Sequence, residues 1–135
     1  MQPEGILETV IYAADLDAAE RFYGEVLGFE VFVKVEGRHV FYRCGNQMLL
    51  IFDPVATATP AAQGIPVPTH GAKGPGHLCF RAPGGTIDDR RRHLEAAGVE
   101  IEMDFECPQG GRSIYFRDPA GNSLEFAEPR IWRLD

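Results

Sequence analysis

Hydrophobic and polar positions follow the same succession twice along this chain. The segment ETVIYAADLDAAERFYGEVLGFEV starts with an apolar run at Glu8, continues with apolar residues at helical spacing and reaches Gly28. The segment HLCFRAPGGTIDDRRRHLEAAGVEI repeats that order from His77 to Gly98. A fixed internal period indicates a repeated supersecondary unit whose copies bury each other's apolar faces. We therefore expect two similar modules.

Short apolar runs between turn residues predict three more strands after the helix of each half. In the second half, Thr86 and Asp89 resemble a capping box that starts the helix. The pattern predicts an α+β fold in which two βαβββ modules form a curled, cup-shaped mixed sheet, with one helix per module on the outer face. One predicted strand begins at His77, and the others are Leu7–Ala13, Glu30–Val35, His39–Cys44, Met48–Phe52, Val99–Phe105, Arg112–Arg117 and Ser123–Ala127.

Length and composition favour one compact domain. The chain has 135 residues and 44% hydrophobic content, enough for a sizeable single core. We predict a single domain over 1–135, with module 1 at about 6–53, a linker at 54–75 and module 2 at about 76–129. The linker holds half of the ten prolines and shows no periodicity. A loop of this length is commonly either functional or mobile.

The charge and the cysteines restrict the partners and the compartment. A net charge of -7 and a pI near 5.0 disfavour nucleic acid and anionic membranes, because both would repel this surface. The start lacks a signal-peptide pattern, and no apolar run approaches the roughly 18 residues of a membrane helix. Three cysteines without close pairing suit reduced thiols. We expect a cytoplasmic protein.

Strand parity predicts which side chains face the cavity, because alternate residues of a strand point to opposite faces. In the fifth strand, Leu78 and Phe80 suit the helix-covered face, which leaves His77 on the other face. The same reasoning on the other strands collects polar side chains on the inner surface. These are Glu8, His77, Arg81, Tyr115 and Glu125.

Two carboxylates beside an imidazole predict a metal site. A carboxylate is costly to bury unpaired, so this group needs a cation, a proton or solvent. An imidazole with carboxylate oxygens and open positions suits Zn, Fe, Mn, Ni or Co. In the alternative, His77 and Glu125 form a hydrogen-bonded pair in a wet groove while Glu8 points to solvent.

Three segments carry a resemblance to a known family: ETVIYAADLDAAERFYGEVLGFEV, GPGHLCF and SIYFRDPAGNSLEFAEP. From roughly Ile6 to Pro129 the chain resembles the glyoxalase / bleomycin-resistance / extradiol-dioxygenase superfamily, also called vicinal oxygen chelate. The resemblance implies paired βαβββ modules around a divalent metal. It places His77 and Glu125 on two of the usual ligand positions, and Glu8 on the first-strand position where the family most often has histidine.

The resemblance implies a metal-dependent enzyme that acts on a small molecule with vicinal oxygens, of lyase, isomerase or dioxygenase type. The fourth-strand glutamate of the glyoxalases falls on Leu49 or Leu50, which argues against lactoylglutathione lyase activity. The alternative is a metal-free small-molecule or drug-binding protein of the bleomycin-resistance type, favoured by the missing first-strand histidine. Single-domain members commonly form homodimers, so we expect a homodimer.

Three residues are candidates for substrate binding. Tyr115 matches a tyrosine that contacts substrate in fosfomycin-resistance members, although it could simply line a groove. His70 could be a replacement ligand, a substrate contact or a proton carrier, and its glycine-rich surroundings equally predict a mobile surface loop. Arg81 joins them by strand parity.

Overall fold

The computed structural model describes residues 1–62 and 64–134, which separate into two compact units, Met1–Gly74 and Pro75–Asp135. Each unit contains one four-stranded mixed sheet. The predicted α+β class with two βαβββ modules is confirmed. In the described part of the chain, no helix is long and apolar enough to cross a membrane.

The sheet of the first unit has the strand order β1-β4-β3-β2. Strand β1 runs parallel to β4, and the other neighbours are antiparallel. The helix α1 packs on β3 and β4. The elements are β1 Glu8–Tyr12, α1 Leu16–Arg21, a π-helical turn Phe22–Val26, β2 Glu30–Val35, β3 His39–Cys44, β4 Gln47–Phe52 and α2 Pro54–Thr57.

Local sequence explains the limits of α1. The Asp15 side chain accepts a hydrogen bond from the backbone N–H of Ala18 at 3.0 Å, which satisfies a free amide at the helix start. The apolar stripe buries Ala19 and Tyr23. Gly28 then takes a φ of +75°, a conformation that suits glycine after a helix.

The second unit repeats the topology with the order β5-β8-β7-β6, in which β5 and β8 are parallel. The helix α3 packs on β7. Within α3, Ile87 and Leu94 are buried. The elements are β5 His77–Arg81, α3 Ile87–Ala96, β6 Met103–Glu106, β7 Arg112–Arg117, β8 Ser123–Ala127 and a 3-10 turn Pro129–Trp132.

Two local predictions in the second unit were wrong. The strand expected at Val99–Phe105 starts only at Met103, because the Val99 amide donates to the Leu94 carbonyl at the end of α3. The capping box at Thr86 does not form. The Thr86 hydroxyl donates instead to the Pro83 carbonyl at 2.7 Å and makes no cap to the helix.

The segment predicted as a linker contains one element that the lack of periodicity did not reveal. Asp53 accepts from the amides of Val55 and Ala56, and Pro54 occupies the start of the four-residue helix α2. An aspartate cap followed by proline favours a helix start. Four residues are too few to show a period. Residue 63 of this segment lies outside the described residues, and the single-domain organisation stays a prediction.

Candidate functional site

Strands β5, β7 and β8 bring His77, Tyr115 and Glu125 to one face of their sheet. The register pairs Glu125 with Cys79 on one side and with Tyr115 on the other. On β5, Phe80 is buried while His77 and Cys79 are exposed, as strand parity predicts. Glu125 is only 5% exposed, which is unusual for a carboxylate.

The His77 ring is oriented by a backbone contact. Its Nδ1 lies 3.0 Å from the Ser123 carbonyl oxygen, which can only accept, so Nδ1 carries the proton and donates. In the neutral ring, Nε2 then presents a lone pair. That nitrogen lies 3.4 Å from Oε2 of Glu125. The His77 side chain is 52% exposed and that of Glu125 is 6% exposed, so the pair lies at the edge of solvent.

Glu125 also affects two neighbouring groups that can lose a proton. Burial, and to a lesser extent the hydrogen bond with Glu125, raises the pKa of Tyr115 to about 12. Desolvation around the sulfur, followed by the Glu125 charge, raises the pKa of Cys79 to about 12, although Cys79 as a whole residue is exposed. Both groups therefore stay protonated near neutral pH. The Cys79 thiol is a poor metal ligand or nucleophile in this state, because the thiolate is the reactive form.

Aromatic rings continue the same face. The rings of His77 and Tyr115 are nearly parallel, with centroids 6.1 Å apart. Tyr115 in turn stacks on Phe105 of β6 at 5.8 Å. The three rings form a row across β5, β7 and β6. The His77 ring thus has the planar face of Tyr115 beside it.

A cavity of about 420 Å³ opens beside His77 and Glu125. Its walls come from the sheet, from the loop between β6 and β7, and from the 3-10 turn at Pro129–Trp132. Three of its lining residues, His77, Tyr115 and Glu125, were predicted as site residues, and the other six were not. The complete lining is His77, Cys107, Pro108, Gln109, Ser113, Tyr115, Glu125, Ile131 and Trp132.

Arg81 lies on the same strand as His77, but its side chain has a different contact. Its Nη1 donates to the Leu134 carbonyl at 3.4 Å, and the residue is exposed. Arg81 is not among the described residues that line the cavity. In this geometry the guanidinium is engaged with the C-terminal segment.

The remaining predicted site residues, Glu8 and His70, belong to the first unit. Glu8 is exposed at the start of β1, opposite Met48. His70 Nδ1 lies 2.7 Å from the Tyr12 hydroxyl, and the His70 ring packs edge-on against Phe52 at 4.7 Å. A hydrogen bond from the His70 amide to the Thr57 carbonyl also holds this residue in place. Strand parity puts Tyr12 on the same face as Glu8, but no sequence signal connects it to His70.

Register identifies the counterpart of Glu125 in the first sheet. Leu50 of β4 pairs with Val10 of β1 and Phe41 of β3, as Glu125 pairs with Cys79 and Tyr115. The first sheet therefore has no carboxylate at this position. Across residues 1–62 and 64–134, no group of three or more His, Cys, Asp or Glu side chains is arranged to hold a metal ion.

Comparison with protein families gives one match over most of the chain. Residues 5–126 match the model of the Glyoxalase/Bleomycin resistance protein/Dioxygenase superfamily. The match includes Glu8, His77 and Glu125.

Solved structures agree with that match. The crystal structure of lactoylglutathione lyase from Agrobacterium tumefaciens is 44% identical with a TM-score of 0.94, covering 99% of this chain and 100% of that chain. A glyoxalase family protein from Enterococcus faecalis is 29% identical with a TM-score of 0.69, covering 93% and 98%. A virulence protein from Salmonella typhimurium is 28% identical with a TM-score of 0.70, covering 95% and 98%.

Proposed function

Because the chain belongs to the Glyoxalase/Bleomycin resistance protein/Dioxygenase superfamily, we propose that it is a divalent-metal-dependent enzyme. Its substrate would be a small molecule with vicinal oxygens, and the reaction would be of lyase, isomerase or dioxygenase type. The observation that carries the proposal is the contact between Nε2 of His77 and the buried Oε2 of Glu125.

Both atoms of that contact present lone pairs when His77 is neutral. Two acceptors that face each other at 3.4 Å repel unless a proton or a cation is shared between them. Two donor atoms at about 2.1 Å from one zinc-like ion would also lie about 3.4 Å apart at a tetrahedral angle. The hydrogen bond from Nδ1 to the Ser123 carbonyl is the outer contact that metal-binding histidines usually make. These residues fit a divalent ion.

His77 and Glu125 would hold the ion, and the resemblance adds Glu8 as a third ligand. A nitrogen with carboxylate oxygens suits Zn, Fe, Mn, Ni or Co. When bound, such an ion supplies Lewis-acid stabilisation of negative charge that develops on the vicinal oxygens.

The chain's own groups would orient the site and the substrate. Tyr115 stays protonated at neutral pH because its pKa is about 12, so its hydroxyl can hold the Glu125 carboxylate in place. We propose Tyr115, Arg81 and His70 as substrate contacts. His70 has the chemistry of a proton carrier, and its hydrogen bond with Tyr12 fixes the ring position.

The name of the Agrobacterium tumefaciens structure suggests a lyase reaction, and lactoylglutathione lyase activity is the first to assay. Leu50 weighs against it, because the resemblance implies a glutamate ligand on the fourth strand for that reaction. A fold also supports many reactions. A homodimer and a cytoplasmic location stay predictions from the resemblance and the composition.

A metal-free small-molecule or drug-binding protein of the bleomycin-resistance type is the second candidate. One observation favours it: Ile131 and Trp132 give the cavity an apolar wall that can hold a ligand without an ion. However, binding without a metal would not explain why the Glu125 carboxylate is buried beside His77.

Calorimetric titration of metal-free protein with Zn, Fe, Mn, Ni and Co tests the proposal. We expect one ion per chain in the wild type. Loss of a residue that only supports a metal ligand typically weakens metal binding about 10- to 100-fold. His77→Ala and Glu125→Gln should each weaken metal binding by more than this. Glu100→Gln, an exposed glutamate of the same unit, should bind as the wild type does. No binding of any of the five ions at micromolar concentrations would refute the metal enzyme.

A further inference from the structure

We propose that Asn122 is a positioning residue, which holds the His77 ring in the orientation that turns Nε2 toward Glu125. The inference rests on the proposed function, in which His77 is a metal ligand, and it adds the residue that keeps this ligand in place. Asn122 acts through the backbone on either side of the His77 ring. The contacts that carry the inference belong to the protein alone.

The side chain of Asn122 connects the starts of the two strands that hold His77. Gly76 immediately precedes His77, and its amide donates to Oδ1 of Asn122 at 2.8 Å. The Gly76 carbonyl accepts from the Ser123 amide at 2.9 Å. The Ser123 carbonyl in turn accepts from Nδ1 of His77 at 3.0 Å. These contacts form a closed circuit, because Gly76 and His77 are neighbours in sequence and so are Asn122 and Ser123.

Asp118 determines which end of the Asn122 amide faces Gly76. Nδ2 of Asn122 donates to Oδ2 of Asp118 at 2.9 Å. Oδ1 of Asp118 accepts from the backbone amides of Ala120 and Asn122 at 3.0 and 2.9 Å. Because an ionised carboxylate only accepts, the nitrogen of the Asn122 amide faces Asp118 and the oxygen faces the Gly76 donor. Asn122 and Asp118 are only 3% and 5% exposed, so the arrangement is shielded from water.

The first unit forms the same strand start without a buried amide. By register, Met48 is the counterpart of Ser123. Its backbone amide donates to the Leu7 carbonyl at 3.0 Å, so the contact between the strands is kept. The residue before Met48 is Gln47, which is exposed, whereas Asn122 is buried. The topology therefore does not require a buried amide here, and the amide occurs in the sheet that carries the proposed metal ligands.

Loss of the Asn122 side chain would loosen the start of β5. The Gly76 amide would lose its acceptor, and the His77 ring would be held less firmly against the Ser123 carbonyl. Residues that hold a metal ligand in place typically contribute about 10- to 100-fold to metal affinity. Asn122 acts through the backbone of its neighbours, so we expect Asn122→Ala to weaken zinc binding by about tenfold, at the lower end of that range.

NMR spectroscopy of the full chain in EDTA tests the inference without metal. The resonance of His77 Nδ1 reports the hydrogen bond with the Ser123 carbonyl. Asn122→Ala should shift this resonance from its wild-type position. Calorimetric titration of the same variant with zinc, made without EDTA, should show the tenfold loss of affinity.

A double variant tests whether the hydrogen bonds of the Asn122 side chain are the cause. Asp118→Asn combined with Asn122→Asp exchanges the amide and the carboxylate. The exchange reverses the hydrogen bond between the two side chains and keeps an oxygen facing the Gly76 amide. The Nδ1 resonance and the zinc affinity should therefore return to their wild-type values.

Gly121→Ala is the matched control in the same turn. Its φ of +86° makes the substitution unfavourable, and a Cβ at this position meets open space. It should lower stability in urea unfolding while leaving the His77 Nδ1 resonance and the zinc affinity unchanged. If Asn122→Ala does not fold, Asp118→Asn combined with Asn122→Ala takes its place, because no buried carboxylate then loses its partner.

The inference is overturned if the Nδ1 resonance of Asn122→Ala stays at the wild-type position, or if Gly121→Ala shifts it as far. It is also overturned if the folded double variant does not restore the resonance. Absence of zinc binding by the wild type would refute the proposed function alone, since the comparison of Nδ1 resonances is made without metal.

Discussion

Asp104 links the helix α3 to the hairpin that carries Ser113 and Tyr115. Its Oδ1 accepts from Nε of Arg112 and its Oδ2 accepts from Nη2 of Arg112, each at 2.8 Å. Arg91 of α3 also donates to Asp104. These hydrogen bonds lower the pKa of Asp104 from 3.8 to about 2, and the hydrogen bond with Arg112 has the largest effect. Asp104→Asn removes the charge while keeping the shape.

The pKa gives an upper limit to the cost of that substitution. The difference between 3.8 and about 2 corresponds to at most about 2.4 kcal/mol of stability at neutral pH. The side chains of Arg91 and Arg112 are 39% and 27% exposed, so solvent screens the attraction. We therefore expect Asp104→Asn to lower the free energy of unfolding by about 1 kcal/mol.

The pH dependence tests the electrostatic cause. A carboxyl whose pKa is lowered by folding stabilises the protein fully above its unfolded pKa of about 3.8, and that contribution disappears as pH falls through about 2. Urea unfolding of wild type and variant should therefore differ by a constant amount from about pH 7 to about pH 4, and by less below.

The exposed pair of Asp89 with Arg92 provides the control, and Asp89→Asn should cost less than about 0.5 kcal/mol. Equal stability of Asp104→Asn and wild type at neutral pH would refute the reasoning. A difference that persists unchanged at about pH 2.5 would also refute it, because the loss would then come from packing.

Three further perturbations follow from single contacts. Gly111→Ala should lower the free energy of unfolding in urea by about 2–4 kcal/mol, because φ is +87° and a Cβ would clash with Ile131. The control Gly121→Ala, with a φ of +86° and open space around it, should cost only about 1–2 kcal/mol. Equal losses in the two variants would contradict the clash. Cys79 should react with iodoacetamide at neutral pH at least about tenfold more slowly in native than in urea-unfolded protein, by peptide mass spectrometry; equal rates would contradict the raised pKa. Tyr12→Phe should shift the His70 Nδ1 resonance in NMR spectra, because the contact between the Tyr12 hydroxyl and Nδ1 is lost, and should cost less than about 1 kcal/mol; an unchanged Nδ1 resonance would contradict that hydrogen bond.

Periodicity was sufficient to predict the strand and helix order, because each half buries one apolar face with a clear period. The same period placed His77 and Glu125 on a common face, since the side chain of every second residue must point the same way. It could not give the end of α3, where the Val99 amide completes the helix. That hydrogen bond depends on Gly98 at a φ of +79°, and local backbone geometry overrides the alternation of the following residues.

Strand parity could not predict the residues of the cavity wall, for a different reason. Ile131 and Trp132 lie in a turn after the last strand, where no period applies. Their position depends on contact with Gly111, which is 20 residues away in sequence. Strand parity puts Ser113 on the same face as Tyr115, but the lack of a hydrogen-bond partner for its Oγ among the described residues emerges only when every neighbour is placed.

The two modules show how one sheet plan can carry a charged site in one copy and an apolar surface in the other. Where the second unit has Glu125 beside Tyr115, the first has Leu50 beside Phe41. Leu50 offers no oxygen ligand for a cation at this position of the first sheet. It forms a ring cluster instead, whose members are His39, Phe41, Phe52 and His70.

One polar feature is nevertheless shared by both copies. By register, His39 pairs with Phe52 in the first sheet as Ser113 pairs with Ala127 in the second. His39 Nδ1 and Ser113 Oγ are both buried without a hydrogen-bond partner among the described residues. Burial, followed by the charge of Arg38, lowers the pKa of His39 and so favours a neutral ring that can donate or accept. The two faces therefore differ in charge, yet among the described residues each has an unpaired buried polar atom at the same sheet position.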